Sequence, residues 1–239
     1  MSTLSSVIKI LEEDRVNNIG MINFIQNYGV LSSDITGNSV LVRGISDRRW
    51  VYISCRDSDE LKSIKSKLNK EDTGFAAIDE WMVSVLTEGR KVFWDLSTVQ
   101  YYLPDNVQIP SYGHKTISLS TKDADTVYTN SEYKKYISRE YVTDRIRRGV
   151  SAGIFENGKL VSWGIIQDDG AIGFLHTIDA YRRRGYAYSI TLSIIEALRK
   201  QGKLPFAYAE PGNQRSAALL LKLGFKKNKT VHWFEVCNI

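Results

Sequence analysis

The chain has 239 residues, of which 43% are hydrophobic, and carries a formal net charge of +5 at pH 7. This length allows one large domain or two smaller ones, each with its own core. Lys and Arg are spread along the chain instead of forming one arm with interleaved aromatic residues, so we expect no nucleic-acid partner. No apolar run approaches the length that spans a bilayer, and the first residues, Met1 to Ser6, lack the basic start of a signal peptide. We therefore expect a cytoplasmic protein with no membrane partner.

Cysteine and histidine spacing excludes several kinds of site. Cys55 and Cys237 lie far apart in the sequence, which predicts no disulfide framework. His114, His176 and His232 are scattered without HxxxH or CxxC spacing, so we expect no metal. Neither a Ser-His-Asp nor a Cys-His spacing is apparent, so we expect no covalent enzyme intermediate.

The first part of the chain alternates helical and strand patterns, which predicts an N-terminal α/β domain over residues 1–112. The predicted helices are Thr3–Arg15, Asn18–Tyr28, one that Asp57 caps and that runs to Leu68, and one from Asp79 to about Gly89; the predicted strands are Ser39–Arg43, Arg49–Ser54, Gly74–Ala77 and Arg90–Asp95. Prolines and polar residues from Pro104 to His114 predict the linker. No glycine-rich phosphate turn occurs in this part, so we assign it no cofactor site.

The second part, residues 113–239, begins with a predicted strand at Thr116–Ser120 and helices from Thr121 and over Ser131–Arg148. A hairpin follows, formed by Val150–Phe155 and Lys159–Gln167. Its turn contains Asn157-Gly158, and Asn-Gly between two alternating apolar runs is the strongest short hairpin signal.

The most informative stretch is Arg182-Arg183-Arg184-Gly185-Tyr186-Ala187, which follows the apolar run Ala171–Ile178 and precedes a helical pattern over Tyr188–Lys200. A strand, a basic glycine-containing turn and a helix together favour an anion site. The helix N-terminus offers unpaired N–H groups and the positive end of its dipole, and Gly185 lets a phosphate approach the backbone. The alternative is a solvated basic loop that caps a surface helix.

A strand at Pro205–Ala209 and a helix over Asn213–Leu223 follow, with Gly224-Phe225 after the helix. The order Arg-x-x-Gly-x-Ala, Asn213-Gln-Arg-Ser216 and Leu-Gly-Phe225 resembles the GNAT superfamily of acyl-CoA-dependent N-acyltransferases, over roughly the second half of the chain. The strand and turn from Asp169 to Arg182, and Trp233-Phe-Glu-Val-Cys237, are similar to glycine N-acyltransferases. The resemblance implies an α/β fold with a mixed central sheet flanked by helices in residues 113–239. The smaller N-terminal α/β domain would be a diverged copy of the same architecture.

The resemblance also implies a coenzyme A site. The pyrophosphate would bind backbone N–H groups from Arg183 to Ala187, and the strand edge near Thr177 and Ile178 would bind the pantetheine arm. Asn213 and Ser216 would offer polar contacts, with helix capping and surface solvation as the alternatives. The predicted cofactor-binding residues are Thr177, Ile178, Arg182, Arg183, Arg184, Gly185, Tyr186, Ala187, Asn213 and Ser216.

The catalytic positions depart from the family pattern. Ala171 stands where many members have a carboxylate that acts as general base, and Leu220 where many have a tyrosine that acts as general acid. His176 is the first candidate for a proton relay, because imidazole titrates near neutral pH; a core histidine that bonds to backbone is the alternative. Asp179 and Glu210, which follow strands, are further candidates, with capping of the adjoining turns as the alternative.

Aromatic residues are candidates for the acceptor pocket. In the second part these are Tyr133, Tyr136, Tyr141 and Trp163, and in the first part Trp81, Trp94, Tyr101 and Tyr102; the alternative is ordinary packing, which the spacing favours for Trp81. The expected function is an N-acetyltransferase that moves the acetyl group of acetyl-CoA to the primary amine of a small molecule by direct attack in a ternary complex. The alternatives are a non-catalytic acyl-CoA sensor or a transferase that acts on a protein N-terminus or lysine. The sequence leaves the oligomeric state open.

Overall fold

The computed structural model describes residues 4–111 and 113–237. Cα packing divides the chain into two compact units. The first unit contains the chain up to Gln100, Ala209–Gln214 and the segment from Lys227 onward; the second contains Tyr101–Tyr208 and Arg215–Lys226. No helix in the described part of the chain is both long and apolar enough to cross a membrane.

The first unit is built on a mixed sheet. Its helices are α1 (Leu4–Glu12), α2 (Arg15–Tyr28), α3 (Ser58–Lys65) and α4 (Glu80–Thr87), and its strands are β1 (Ser32–Thr36), β2 (Ser39–Ile45), β3 (Arg49–Ser54), β4 (Gly74–Asp79), most of β5 (Val92–Tyr102) and most of β10 (Lys226–Val236). The strand order is β1-β2-β3-β4-β10-β5, with a parallel pair between β3 and β4. The predicted helices and strands of this unit are confirmed with shifted ends. Strand β1 was not predicted because its sequence, Ser-Ser-Asp-Ile-Thr, has no apolar alternation.

Successive apolar residues along the strands of the first unit point to opposite faces of the sheet and form a core on each face. Leu41 packs with residues of α3 and α4, whereas Val40 and Val42 pack with residues of α1 and α2. Asp57 accepts hydrogen bonds from the N–H groups of Asp59 and Glu60, both at 2.9 Å, so the predicted cap of α3 is confirmed. Trp81, for which the helical spacing favours ordinary packing in the core or at a domain interface, is 43% exposed and is not a core residue.

The second unit carries α5 (Ala124–Thr129), α6 (Arg139–Arg148), β6 (Ser151–Glu156), β7 (Lys159–Ile166), β8 (Ile172–Thr177), α7 (Tyr186–Lys200), β9 (Phe206–Ala209) and most of α8 (Gln214–Lys222). Its strands lie in the order β9-β8-β7-β6, and β8 and β9 form the parallel pair. The β6–β7 hairpin is confirmed, with both turn residues, Asn157 and Gly158, at positive φ. This mixed sheet, flanked by helices, confirms the predicted fold class.

Helix α7 approaches the sheet of the second unit closely. A Cβ built on Gly164 of β7 would lie 3.0 Å from side-chain atoms of Ile190 and Ile194. A glycine at this strand position therefore lets the buried face of α7 pack directly on the backbone. This packing fixes the position of the helix N-terminus beside β8.

Two predictions in the second unit are wrong. Thr116–Ser120 is not a strand, because only Ile117 pairs, in an isolated bridge with Gly153. The helix predicted over Ser131–Arg148 begins only at Arg139, since Ser138 accepts the N–H of Tyr141 at 3.0 Å and forms the cap there. The preceding residues form turns.

The predicted boundary between residues 112 and 113 differs from the packing. Leu103 N–H donates to the carbonyl of Pro205 at 2.8 Å, and Arg199 donates to the carbonyls of Val107 and Pro104 at 2.7 and 2.8 Å. These bonds hold much of the predicted linker on the second unit. In the other direction, β10 pairs with β4, which places the C-terminal strand in the first unit.

Candidate functional site

The basic turn contains two residues in the left-handed backbone conformation. After β8, Arg183 has φ of +64° and Gly185 has φ of +82°, and α7 begins at Tyr186 with Gly185 as its N-cap residue. The first bond of the helix runs from Ser189 N–H to the carbonyl of Gly185 at 3.1 Å. The N–H groups of the helical residues before Ser189 have no acceptor within the helix. Together with the helix dipole, they favour a negative charge at this end of α7.

The three arginines of the turn are exposed and differ in their contacts. Arg182 pairs with Asp179, with 2.7 Å between Nη2 and Oδ1, and its Nε donates to the carbonyl of Thr177 at 3.1 Å. Arg184 donates to the carbonyl of Ala180 at 3.3 Å. Because exposed ion pairs contribute little, an anion that binds the turn can recruit these guanidinium groups at small cost.

Strand β8 contains a bulge before the turn. Phe174 has φ of +49°, unusual for a bulky residue, and the pairing of β8 with β7 shifts between His176 and Gly173. Strand β8 pairs with β9 at Ile172 and Ala207, before the bulge. A bulge at this point locally bends β8 before the basic turn.

The two predicted pantetheine-binding residues use their backbone groups differently. Ile178 donates its N–H to Val161 at 2.9 Å, and its carbonyl accepts from Tyr181 at 2.8 Å. The Thr177 carbonyl accepts a bond from Nε of the exposed Arg182. An extended ligand would compete with this side-chain bond at Thr177 and with backbone bonds at Ile178.

His176 lies on β8 beside these groups. Its ring stacks on Trp163 of β7, with 4.8 Å between centroids and 25° between planes. Burial, followed by the positive charge of Arg182, lowers the pKa of His176 below its usual 6.5. The imidazole is therefore neutral at pH 7 and can accept a proton.

Comparisons with known proteins agree with this geometry. Residues 149–234 match the family model described as FR47-like protein. A Drosophila protein of solved structure aligns with a TM-score of 0.81 and 17% identity, over 98% of this chain and 97% of its own. A GCN5-related N-acetyltransferase from Kribbella flavida aligns with a TM-score of 0.58 and 14% identity, over 92% of this chain and 94% of its own. An acetyltransferase of the GNAT family from Colwellia psychrerythraea aligns with a TM-score of 0.54 and 13% identity, over 98% of this chain and 97% of its own.

The match of residues 149–234 to an FR47-like, GNAT-related domain supports the GNAT superfamily for this part of the chain. This confirms the resemblance seen in the sequence. The solved structures, at these identities, show the GNAT fold. No curated protein sequence matches the chain significantly. GNAT proteins generally use acetyl-CoA as the acyl donor.

Both of the departing GNAT positions are apolar and buried. Ala171 is fully buried, and Leu220 on α8 is 6% exposed. At the end of α8, Phe225 donates its N–H to the carbonyl of Leu220 at 3.1 Å. Gly224 has φ of +89°, as expected of a glycine that ends a helix. Neither position supplies a proton donor or acceptor, so another group must carry the proton in any GNAT reaction here.

The remaining predicted polar residues lie around α8. Asn213 belongs to the first unit and directly precedes α8 in the sequence. Its N–H donates to the carbonyl of Glu210 at 2.9 Å. Ser216 lies in the first turn of α8, in the second unit. Their roles as coenzyme A contacts stay predictions.

The candidate acceptor aromatics are held in different ways. In the second unit, Tyr141 donates its hydroxyl to Asp168 at 2.9 Å, Trp163 is 1% exposed, and Tyr133 and Tyr136 are half-buried. Tyr101 is 7% exposed, and Tyr102 is half-buried. In the first unit, Trp94 donates its ring N–H to Glu235 at 2.8 Å. The half-buried Tyr133 and Tyr136 retain surface that an acceptor can touch.

Sequence reasoning missed two groups of the second unit. Asp168 and Asp169, which precede Gly170, are 9% and 2% exposed, and Asp169 accepts the N–H of Ala171 at 3.0 Å. Burial, followed by the charge of Asp168, raises the pKa of Asp169 to about 7. His114, placed in the predicted linker, lies 2.8 Å from the carbonyl of Arg184. No sequence spacing indicates that His114 meets a turn 70 residues away.

Among the described residues, no group of three His, Cys, Asp or Glu side chains could hold a metal ion. The positively charged candidates at the turn are arginines, which recognise phosphate without a metal.

Proposed function

We propose that the protein is an N-acetyltransferase that transfers the acetyl group of acetyl-CoA directly to the primary amine of a small molecule. The observation that carries the proposal is the turn of three exposed arginines that leads, through Gly185 at φ +82°, into the free N-terminus of α7. Backbone N–H groups, a positive dipole end and guanidinium groups together fit a pyrophosphate.

Different residues of this chain would hold different parts of coenzyme A. Arg183 to Ala187 would hold the pyrophosphate, and the end of β8 at Thr177 would hold the pantetheine arm by backbone hydrogen bonds. Bound acetyl-CoA supplies a thioester as the acyl donor. The chain itself would align the amine and exclude water, and alignment alone contributes several orders of magnitude in rate.

The reaction needs a route for one proton. The amine nitrogen forms a bond to the acyl carbon as the carbon–sulfur bond breaks; the nitrogen loses a proton, and the departing sulfur accepts one. His176 is neutral at pH 7 and lies on β8 directly before Thr177, so it would accept the proton from the amine. General base catalysis of this kind contributes about 10²–10⁴-fold.

A second candidate function is an acyl-CoA sensor without catalysis. The buried apolar Ala171 and Leu220 favour it, because both positions lack the proton-transfer groups of other GNAT proteins. A transferase that acts on a protein N-terminus or lysine has the same site and a different acceptor. The likeness to glycine N-acyltransferases favours a small acceptor.

Thiol release separates these functions. We would measure free thiol from acetyl-CoA with a panel of amino acids, polyamines and aminoglycosides, and with peptides that carry a free N-terminus or lysine. In parallel, the thermal unfolding of the protein would be followed with and without coenzyme A. Release that depends on a small amine supports the proposal, and release that depends on a peptide would replace the acceptor. If coenzyme A raises the unfolding temperature but no acceptor causes thiol release, the sensor function is favoured. If coenzyme A does not raise the unfolding temperature, both the transferase and the sensor functions are rejected.

A further inference from the structure

His114 contacts three consecutive residues of the basic turn. Its Nε2 lies 2.8 Å from the carbonyl oxygen of Arg184, and a Cβ built on Gly185 would lie 3.6 Å from the same Nε2. Its ring meets Tyr186 edge-on, with 4.7 Å between centroids and 82° between planes. His114 therefore covers the start of α7 from one side, and all these residues belong to the second unit.

The direction of the His114 bond fixes the direction of a neighbouring N–H group. A carbonyl oxygen can only accept, so Nε2 of His114 carries the hydrogen and donates it to Arg184. In a trans peptide, the carbonyl of one residue and the N–H of the next point in opposite directions. The bond that holds the Arg184 carbonyl toward His114 thus holds the Gly185 N–H away from His114.

This orientation matters because the turn is exposed and conformationally unusual. Arg182 to Gly185 are all exposed, and Arg183 holds a φ of +64°, which is costly for a residue with a side chain. Rotation of the Arg184–Gly185 peptide would present a carbonyl oxygen where an N–H is needed, and a carbonyl repels an anion. A hydrogen bond from outside the turn opposes that rotation.

The segment that carries His114 is itself fixed on the second unit. Thr116 donates its hydroxyl to Ser193 of α7 at 2.8 Å, and Ile117 exchanges backbone bonds of 2.9 and 2.7 Å with Gly153. Tyr186, whose ring contacts His114, donates its hydroxyl to Glu156. These contacts hold the start of α7 before any ligand binds, which reduces the entropy that binding must remove.

We propose that His114 is a positioning residue of the coenzyme A site: by donating to the Arg184 carbonyl it orients the Gly185 N–H toward the pyrophosphate. This inference rests on the proposed function. It assigns to His114 no contact with the acyl group or the amine. Its effect is therefore on affinity for the phosphate-bearing part of the cofactor.

Substitutions of His114 separate the donor from the ring. H114F keeps an aromatic ring against Tyr186 and removes the donor; H114Q places an amide N–H near the position of Nε2. We expect H114F to weaken coenzyme A binding roughly three- to tenfold by calorimetry, the usual effect of one hydrogen bond, and H114Q to remain within about twofold of the original protein. H114N, one methylene shorter than H114Q, should behave as H114F does. If H114F does not fold, the coenzyme A affinities of H114N and H114Q provide the same comparison.

Two further readouts distinguish positioning from general stability. Dephospho-coenzyme A keeps the pyrophosphate and lacks the 3′-phosphate, so H114F should weaken its binding by the same factor. The thermal unfolding of the ligand-free H114N and H114Q variants should agree. H114F should raise KM for acetyl-CoA by a larger factor than it lowers kcat.

The outcomes that overturn the inference differ from those that overturn the function. If the original protein binds coenzyme A and H114F and H114N bind it equally well, only the role of His114 fails. The same holds if H114F weakens coenzyme A and leaves dephospho-coenzyme A unchanged, since the ring then acts on the 3′-phosphate. If the original protein does not bind coenzyme A, the proposed function fails and this inference with it.

Discussion

At the scale of single residues, His176 is the group whose environment most directly affects the proposed chemistry. Burial against Trp163 removes water from the imidazolium, and Arg182 adds a like charge; both lower the pKa of His176, while Glu132 and Asp179 raise it and do not offset the lowering. A lowered pKa keeps the imidazole neutral over the physiological range. A neutral imidazole is a base available at every pH above that pKa.

The pH dependence of turnover tests this role. If His176 accepts the amine proton, kcat falls as pH decreases through its pKa, below 6.5, and is level above it apart from the titration of the amine. H176A should lower kcat about 10²-fold or more at pH 7–9 and remove the decrease at low pH. Normal turnover in H176A, with reduced thermal stability, would show that the ring only packs on Trp163.

At the scale of elements, α7 has a glycine of left-handed conformation at each end. Gly185 precedes the helix with φ of +82°, and Gly202 follows it with φ of +67°. A Cβ on Gly185 would meet His114 at ordinary van der Waals distance, and a Cβ on Gly202 would have no neighbour within 4 Å. A side chain at either position therefore meets the same backbone strain, about 1–2 kcal/mol, with little crowding.

This symmetry supplies a matched pair of variants. Gly185→Val should lower coenzyme A affinity more than tenfold, because a β-branched residue resists the conformation that presents the N–H groups of the turn. Gly202→Val should leave the affinity unchanged. Calorimetric titration measures the affinities, and thermal unfolding should show similar, modest losses of stability in both variants. Equal affinity in the two variants would count against the pyrophosphate site.

At the scale of the whole molecule, a buried acidic turn makes stability depend on pH. Asp169 is 2% exposed, and burial together with the charge of Asp168 raises its pKa to about 7, against 3.8 for an unperturbed group. Between these two pH values the folded chain holds a proton that the unfolded chain has lost. The free energy of unfolding therefore falls as pH rises from about 4 to about 7.

Asp169→Asn removes this dependence, since an amide carries no charge and its oxygen can still accept the N–H of Ala171. We expect the variant to be more stable than the original protein at pH 8, by about 2–4 kcal/mol, and the difference to vanish near pH 4. Asp105→Asn, in an exposed part of the second unit, is the control and should follow the original protein. A D169N variant that loses stability at pH 8 would show that the carboxylate is needed ionised. Calorimetry across the pH range measures both.

Much of the second unit follows from local sequence. The Asn157-Gly158 turn, the apolar face of α7 and the glycine after α8 each require only a few neighbouring residues, and each is found where it was predicted. The same holds for Asp57 at the start of α3. The order of the basic turn and the later motifs was sufficient to indicate the GNAT superfamily.

Long-range contacts explain what the sequence did not predict. Strand β1 is polar and exists because β2 offers it a partner, and β10 joins the first unit because β4 does. Trp81 has the helical spacing of a core residue, yet no part of the described chain covers it fully. A pattern in one segment carries no information about which distant segment will pack on it.

The sequence by itself therefore indicated most of the helices and strands, the basic turn before α7 and the likeness to the GNAT superfamily, because these depend on residues close together in the chain. Only the tertiary structure decided that the Asp168-Asp169 turn is buried and that His114 meets Arg184. Burial and hydrogen bonding between distant residues depend on how helices pack on sheets. The protonation of Asp169 and the orientation of the Gly185 peptide follow from that packing and from no local pattern.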